Sequence, residues 1–343
     1  MARIWYTVCG EGLGHATRSE AVIKELLKKH EVIITAYAKA YDYLKERYPK
    51  ETHHIAGNTY VYKNNELLVV PSLMQLLGKL PKYIYKNFKE VLPLMKDFQP
   101  DIIITDFEAT GAYYGLIMGI PVINLDNIHT LKECDIKYCV PWYIKAGMKI
   151  LQPKGTRNII PAFDDMHAKN NRTTVIAPIM KEEVRKLTPS DKGHVVVYQT
   201  SATNEQIPPV LANHKREFKI YGMGKRKSKG NLTFMPVNNR QFYKDLESAS
   251  YVIVNGGFTL ITEALYLKKP VLAIPVKNQI EQEYNGSALQ RLGYGSTTKE
   301  LCLKDIEAFE KNLPKYRAKI AKIPRWKTEI AVIEKAISAC LER

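Results

Sequence analysis

Two stretches of the chain, DIIITDFEATGAYYGLIMGIPVINL (101–125) and YVIVNGGFTLITEALYLKKPVLAIP (251–275), follow one plan. Each opens on a short run of apolar, largely β-branched residues, switches to polar residues or glycine, and continues as a helix-compatible stretch. Each then closes through proline into a second apolar run. A strand without a polar face needs cover on both sides, and a parallel sheet with crossover helices supplies it. The plan recurs. Residues 4–8 form an apolar run, 9–17 a glycine-rich turn, and 18–29 a helical pattern with Ala21, Val22, Leu26 and Leu27 on one face. EVIITAY (31–37), HVVVYQT (194–200) and FKIYG (218–222) read as further strands. The expected class is α/β, with two doubly wound, Rossmann-like domains. Any βαβ unit reads this way, so the likeness of the two stretches speaks to architecture more than to ancestry.

A length of 343 residues accommodates two such domains. The stretch LQPKGTRNIIPAFDDMHAKNNRTT (151–174) is polar, holds two prolines and lacks periodicity. The expected division is therefore an N-terminal domain 1–160, a linker 161–174, a C-terminal domain 175–322, and a final helix within 323–343 that packs back on the first domain. No run approaches the roughly 20 apolar residues of a membrane span, and MARIW leads straight into a strand pattern rather than a signal peptide. The five cysteines are odd in number, scattered and without a CxxC pair, which suggests neither a disulfide framework nor a zinc site. A cytoplasmic protein is expected. A net charge of +16 points to an anionic partner, such as phosphates or an acidic membrane face. It also suits nucleic acid, but no RNA- or DNA-binding motif accompanies it, so no nucleic-acid partner is expected.

Three segments carry chemistry. In NGGFTLITEAL (255–265) a strand ends at Asn255, Gly256 and Gly257 allow a tight turn, and a helix starts near Thr259. The unpaired N–H groups and positive end of that helix make an anion site suited to a diphosphate. Glu263 lies about one turn in and would repel phosphate, so ribose hydroxyls are its more natural partners. In IPVKNQIEQEYNGSAL (274–289) Glu281 and Gln282 stand at a helix start, a carboxylate beside a carboxamide, suited to sugar hydroxyls. In CGEGLGHATRSEA (9–21) the spacing G-x-G-x-G-H differs from the dinucleotide fingerprint, and no acidic residue closes the following strand, so a nicotinamide or flavin cofactor is not expected. His15 instead stands at the carboxyl end of the first strand, where open α/β sheets bind their ligands.

GGFTLITEAL, then proline, then EQEYNG resembles the donor-sugar signature of GT-B glycosyltransferases, the group containing UDP-glycosyltransferases and MurG-like enzymes. The resemblance implies a GT-B fold, two Rossmann-like domains across a cleft, and a UDP-sugar substrate held mainly by the second domain. It places Gly256, Gly257 and Thr259 at the diphosphate, Glu263 at the ribose, and Glu281 with Gln282 at the sugar. LTFMPV (232–237) matches the family's nucleobase loop, through Met235 or Pro236. YQTSAT (198–203) matches a phosphate-approaching loop, through Thr200 and Ser201, and Lys181 falls where MurG-like enzymes contact phosphate. GEGLGHATR resembles the family's cleft-facing loop, with Gly14 close to the donor and His15 as the general base. A carboxylate from another strand end would orient the imidazole: Asp106 first, Glu108 second. MurG-like enzymes are glycine-rich at that point, so the chain mixes features of both branches.

The implied reaction is inverting transfer of a hexosyl or N-acetylhexosaminyl group, with neither protein-bound metal nor cofactor. Two other readings share the pocket: a UDP-GlcNAc 2-epimerase-like enzyme and a non-catalytic nucleotide-sugar-binding subunit. The segment 71–98 interleaves Leu76, Leu77, Tyr83 and Phe88 with Lys79, Lys82 and Lys86. Such a mixture suits an amphipathic face on an anionic membrane, and equally a core helix with a solvated lysine face. MurG-like enzymes meet a lipid-linked acceptor with a patch of this kind, which would place this protein peripherally on the cytoplasmic membrane face.

Overall fold

A computed structural model describes residues 1–200, 204–236 and 239–342. Its strands run β1 (Arg3–Val8), β2 (Glu31–Ala36), β3 (Thr52–His54), β4 (Tyr62–Lys63), β5 (Glu66–Leu67) and β6 (Ile102–Asp106). They continue β7 (Val122–Leu125), β8 (Cys134–Asp135), β9 (Arg157–Pro161), β10 (His167–Ala168) and β11 (Thr173–Ile176). The remainder are β12 (Val195–Tyr198), β13 (Phe218–Tyr221), β14 (Leu232–Phe234), β15 (Tyr251–Val254), β16 (Val271–Ala273) and β17 (Gly295–Thr297). The chain forms two compact units, one of 1–60, 70–181 and 326–343, the other of 61–69 and 182–325.

The first unit is built on a seven-stranded parallel sheet in the order β11-β9-β7-β6-β1-β2-β3. Alternation along its strands fills two cores. Ile4, Tyr6 and Val8 of β1, with Ile102 and Ile104 of β6, face one core; Trp5 and Ile103 face the other, with Val91 and Met95. This explains the unbroken apolar runs, since both faces are dry. The first core also takes Ile333, Ile337 and Cys340 from the helix Ile330–Leu341.

The second unit has a six-stranded parallel sheet in the order β14-β13-β12-β15-β16-β17. Its core gathers Val195, Val197, Phe218, Ile220, Tyr251, Ile253 and Phe309.

The expected linker at 161–174 is not a linker. It connects β9 to β11, which pair with each other in the first sheet through Thr173 opposite Asn158 and Ile176 opposite Pro161. A polar, proline-bearing loop leading from β9 to the edge strand β11 has the composition of an interdomain tether, and the change of unit comes after Lys181 instead. The first-half hairpin β4–β5 belongs to the second unit. Asn65 donates to the carbonyl of Pro275 at 3.3 Å and accepts through its own carbonyl from Lys277 N–H at 2.9 Å.

Candidate functional site

In an open α/β sheet the ligand crevice lies at the carboxyl ends of strands where the order reverses. In the first unit that point is β1 beside β6; β6 ends on Asp106, and β1 runs into the loop that leads to Gly14 and His15. Gly14 opens the helix Gly14–Leu26, which places His15, Arg18 and Ser19 at spacings of three and four, on one helical face. All three converge on Asp106, the last residue of β6, whose side chain is fully buried. His15 Nδ1 lies 2.7 Å from Asp106 Oδ1. Arg18 donates to Asp106 through Nε at 3.1 Å and through Nη2, and Ser19 Oγ donates at 3.0 Å. Arg18 Nη1 continues to Asn127 Oδ1 at 2.9 Å. At 2.7 Å the contact between a carboxylate and the imidazole is a charge-assisted hydrogen bond, with Nδ1 as donor.

The second orienting candidate, Glu108, is placed elsewhere. Phe107 adopts a φ of +52°, a left-handed conformation unusual for a bulky residue, and turns the chain sharply after Asp106. Glu108 then caps the helix Ala109–Met118, accepting from Thr110 N–H at 2.9 Å and Gly111 N–H at 3.0 Å. Burial pushes its carboxyl up, while those N–H bonds pull the other way. Sequence reasoning missed Arg18, Ser19, Asn127 and a second buried pair, His129 Nδ1 with Asp126 Oδ2 at 2.8 Å. Burial opposes the Asp126 charge, but His129 and Arg18 outweigh it and hold the carboxyl below its ordinary value. The spacing of Arg18 and Ser19 from His15 was a usable signal for the first two.

In the second unit the order reverses between β12 and β15. β15 runs into Asn255, Gly256 and Gly257, and the last is the N-cap of the helix Phe258–Tyr266. Asn255 joins the surrounding strand ends: Nδ2 donates to Gln199 Oε1, Asn65 Oδ1 and the carbonyl of Ile274 at 3.0–3.1 Å, and Oδ1 accepts from Thr200 N–H at 2.7 Å. Gly256 sits at φ +144°, and a Cβ there would lie 2.7 Å from the carbonyl oxygen of Gln282. The glycine thus lets β15 press against the helix Ile280–Leu292. A Cβ on Gly257 would meet nothing within 4 Å, so open space lies on that side of the turn.

Thr259 is half-buried in the first helical turn, and Glu281 in the first turn of its own helix. Glu263 is buried and accepts from Tyr243 Oη at 3.1 Å. Gln282 is buried with Oε1 accepting from Val276 N–H at 2.9 Å, so its carbonyl end fixes the preceding loop instead of facing outward. Met235 N–H bonds the carbonyl of Ile220 at 2.8 Å, and Pro236 is exposed. Ser201 lies outside the described residues. Lys181 departs from the phosphate-contact expectation. It belongs to the first unit and is buried there, with Nζ 3.0 Å from Tyr43 Oη and 3.8 Å from Glu20 Oε2. Its charge is engaged by those groups.

The helix Val69–Phe98 buries only Ser72, Val91 and Met95. Leu73, Met74, Leu77, Leu80, Ile84 and Phe88 are exposed at helical spacing, flanked by exposed Lys79 and Lys82; Leu76, Tyr83 and Lys86 are half-buried. Core packing is thus confined to Val91, Met95 and Leu94 near the end of the helix, and the apolar residues between 73 and 88 are mostly exposed. Two neighbouring helices extend this surface, which the sequence reading missed. Ile117 on Ala109–Met118 and Trp142 on Trp142–Leu151 are 77% and 79% exposed. Asn87 Nδ2 to Thr110 Oγ1 at 3.1 Å ties the first of these helices to Val69–Phe98, and Tyr113 Oη to the carbonyl of Ile150 ties the two neighbours together. Among the described residues no helix is long and apolar enough to cross a membrane, and no group of three or more His, Cys, Asp or Glu is arranged to hold a metal ion.

The sequence profile of glycosyl transferase family 1 matches residues 2–314. A protein described as an uncharacterized glycosyltransferase, from Methanosarcina mazei, is 27% identical over 398 residues, covering 99% of this chain and 98% of its own. Among solved structures, Arabidopsis thaliana UGT89C1 complexed with UDP-L-rhamnose has a TM-score of 0.68 at 13% identity, over 99% of each chain. The glycosyltransferase VinC in complex with dTDP has a TM-score of 0.62 at 12% identity, over 99% of this chain and 100% of its own. Likeness at these identities is likeness of fold, and the fold is the expected GT-B class.

Proposed function

Because the chain belongs to glycosyl transferase family 1, we propose that this glycosyltransferase moves a hexosyl or N-acetylhexosaminyl group from a UDP-sugar to an acceptor hydroxyl, with inversion. The observation that carries the reading is the His15–Asp106 pair at the sheet's reversal point. With its Nδ1 proton turned to Asp106, the imidazole offers Nε2 as the base. Nε2 takes the acceptor's hydroxyl proton as that oxygen bonds to the anomeric carbon. The bond from that carbon to the diphosphate oxygen breaks on the opposite side, and its electron pair leaves with the diphosphate. The N-terminus of Phe258–Tyr266, approached over Gly257, stabilises the departing charge. This mechanism needs neither cofactor nor protein-bound metal. The complexes of similar folds with UDP-L-rhamnose and dTDP support a pyrimidine nucleoside diphosphate.

A panel of nucleotide-sugars scored by thermal shift tests the donor. A ligand at about 100 times its Kd stabilises the native state by about 2.7 kcal/mol, so at least one UDP-sugar is expected to raise Tm by several degrees. Failure of every UDP-sugar overturns the assignment, and inversion at C2 of UDP-GlcNAc without acceptor would make the protein an epimerase.

The acceptor in this reading is lipid-linked, presented at an anionic, cytoplasm-facing membrane to the apolar, lysine-flanked surface of Val69–Phe98. Reversing Lys79, Lys82, Lys86 and Lys89 to Glu is expected to abolish sedimentation with vesicles rich in anionic lipid, since each basic residue near such a surface contributes about 1 kcal/mol. Equal sedimentation of wild type and variant refutes it.

A further inference from the structure

Burial of Asp106 poses an electrostatic problem that the base assignment does not address. A carboxylate with no exposed surface needs a compensating cation. Two candidates touch it: the imidazole of His15 and the guanidinium of Arg18, itself only 3% exposed. Were the imidazole the cation, Nε2 would carry a proton and accept none. We propose that Arg18 is a positioning residue that holds His15 in its neutral, proton-accepting form, by taking over the charge of Asp106 while leaving Oδ1 as acceptor for His15 Nδ1–H.

The geometry supports this division. Arg18 grips both carboxylate oxygens, through Nε on Oδ2 and Nη2 on Oδ1, and Ser19 adds a neutral donor to Oδ2. Asn127 holds the other end of the guanidinium, which fixes its plane. Arg18 Nη2 also stands 3.3 Å from His15 Nδ1, so a second positive charge on the ring would meet a fixed cation at contact distance. Other ionisable groups around the cluster do not take over this role. On β1 and just after it, burial pushes the Tyr6 phenol up and the Cys9 thiol to about 12, so both stay neutral. In the loop after β7, Asp126 has His129 as its own partner. After β6, Glu108 is committed to its helix cap, and in the turn before His15, Glu11 accepts from Tyr60 N–H at 3.1 Å. Burial opposes the charge on Arg18 but Asp106 outweighs it, so the guanidinium remains charged.

The inference rests on the base reading of His15, and its first test needs no turnover. The titration midpoint of His15, followed by NMR of carbon-13-labelled histidine and assigned with His15→Gln, is expected to rise by about one pH unit or more in Arg18→Met. Arg18→Lys, which keeps the charge, is expected to stay near wild type. Should Arg18→Met fail to fold, Arg18→Gln keeps donors toward Asp106 and Asn127 without the charge, and its midpoint must rise too. An unmoved or lowered midpoint in a folded, charge-removed variant overturns the proposal. The acid limb of the pH profile of kcat is then compared. A limb that moves with the midpoint supports both readings. A midpoint that rises while the limb stays fixed supports the Arg18 assignment and removes His15 from the role of base.

Discussion

His15→Ala is expected to lower kcat by about 10²–10⁴-fold, the usual contribution of a positioned general base, while donor affinity stays within about twofold of wild type. The reasoning is local. His15 is only partly exposed, its side chain contacts groups of the first unit, and the proposed diphosphate, ribose and sugar contacts at Gly257, Thr259, Glu263 and Glu281 belong to the second. Release of nucleoside diphosphate measures turnover, and calorimetric titration with the donor measures binding. A variant that keeps full turnover places the base elsewhere. One that loses donor binding in parallel shows that the loop serves the donor rather than the acceptor. Asp106→Asn is a poor substitute for this experiment, because it leaves the buried Arg18 charge without its carboxylate and so mixes catalysis with folding.

The second large effect is on stability. Gly256→Ala is expected to destabilise the second unit by about 2–6 kcal/mol. Roughly 1–3 kcal/mol comes from holding an alanine in a backbone region reserved for glycine, and a similar amount from overlap. The new methyl would stand 2.7 Å from the Gln282 carbonyl oxygen and 2.9 Å from Gln282 Cβ, and neither can retreat cheaply. Gln282 is anchored at Val276, and Asn285 Nδ2 ties the same helix back to the Gly256 carbonyl at 2.9 Å. Gly257→Ala is the informative partner. Its φ is −66° and its Cβ enters open space, so a loss of about 1 kcal/mol at most is expected. Urea unfolding of both variants separates the cases, and similar losses would refute the close-packing argument.

The strands were legible because burial on both faces leaves an uninterrupted apolar signature, as at Ile102, Ile103 and Ile104. The turn after β15 was legible because few residues other than glycine tolerate the backbone of Gly256. Two things were not. Asp106 and Glu108 are equivalent carboxylates two residues apart in the sequence, and only the left-handed turn at Phe107 separates an imidazole partner from a helix cap. The unit boundary was hidden because a surface loop leading to the edge strand β11 needs the same solvated residues as a tether. Gln282 and Lys181 were read from residue type and from their places in the family resemblance. Their type allows a ligand contact, but packing gave the Gln282 carbonyl to Val276 and the Lys181 ammonium to Tyr43 and Glu20.

The hairpin β4–β5 changes what it means to exchange parts among relatives. Sequence order suggests that the donor half of such an enzyme can be transplanted by one cut. Here the chain leaves the first unit after Tyr60, re-enters it at Val70, leaves again after Lys181 and returns at Trp326. The segment 61–69 supplies Asn65 to the Asn255 side chain and Glu66 to Lys277 and Asn278, all in the second unit. A chimera joined only near residue 181 would therefore set one parent's hairpin against the other parent's loop at 274–278. The second unit is thus encoded in two separated pieces of gene, and the smaller lies inside the stretch that codes for the first unit; under the proposed function, donor preference would be inherited in those two pieces.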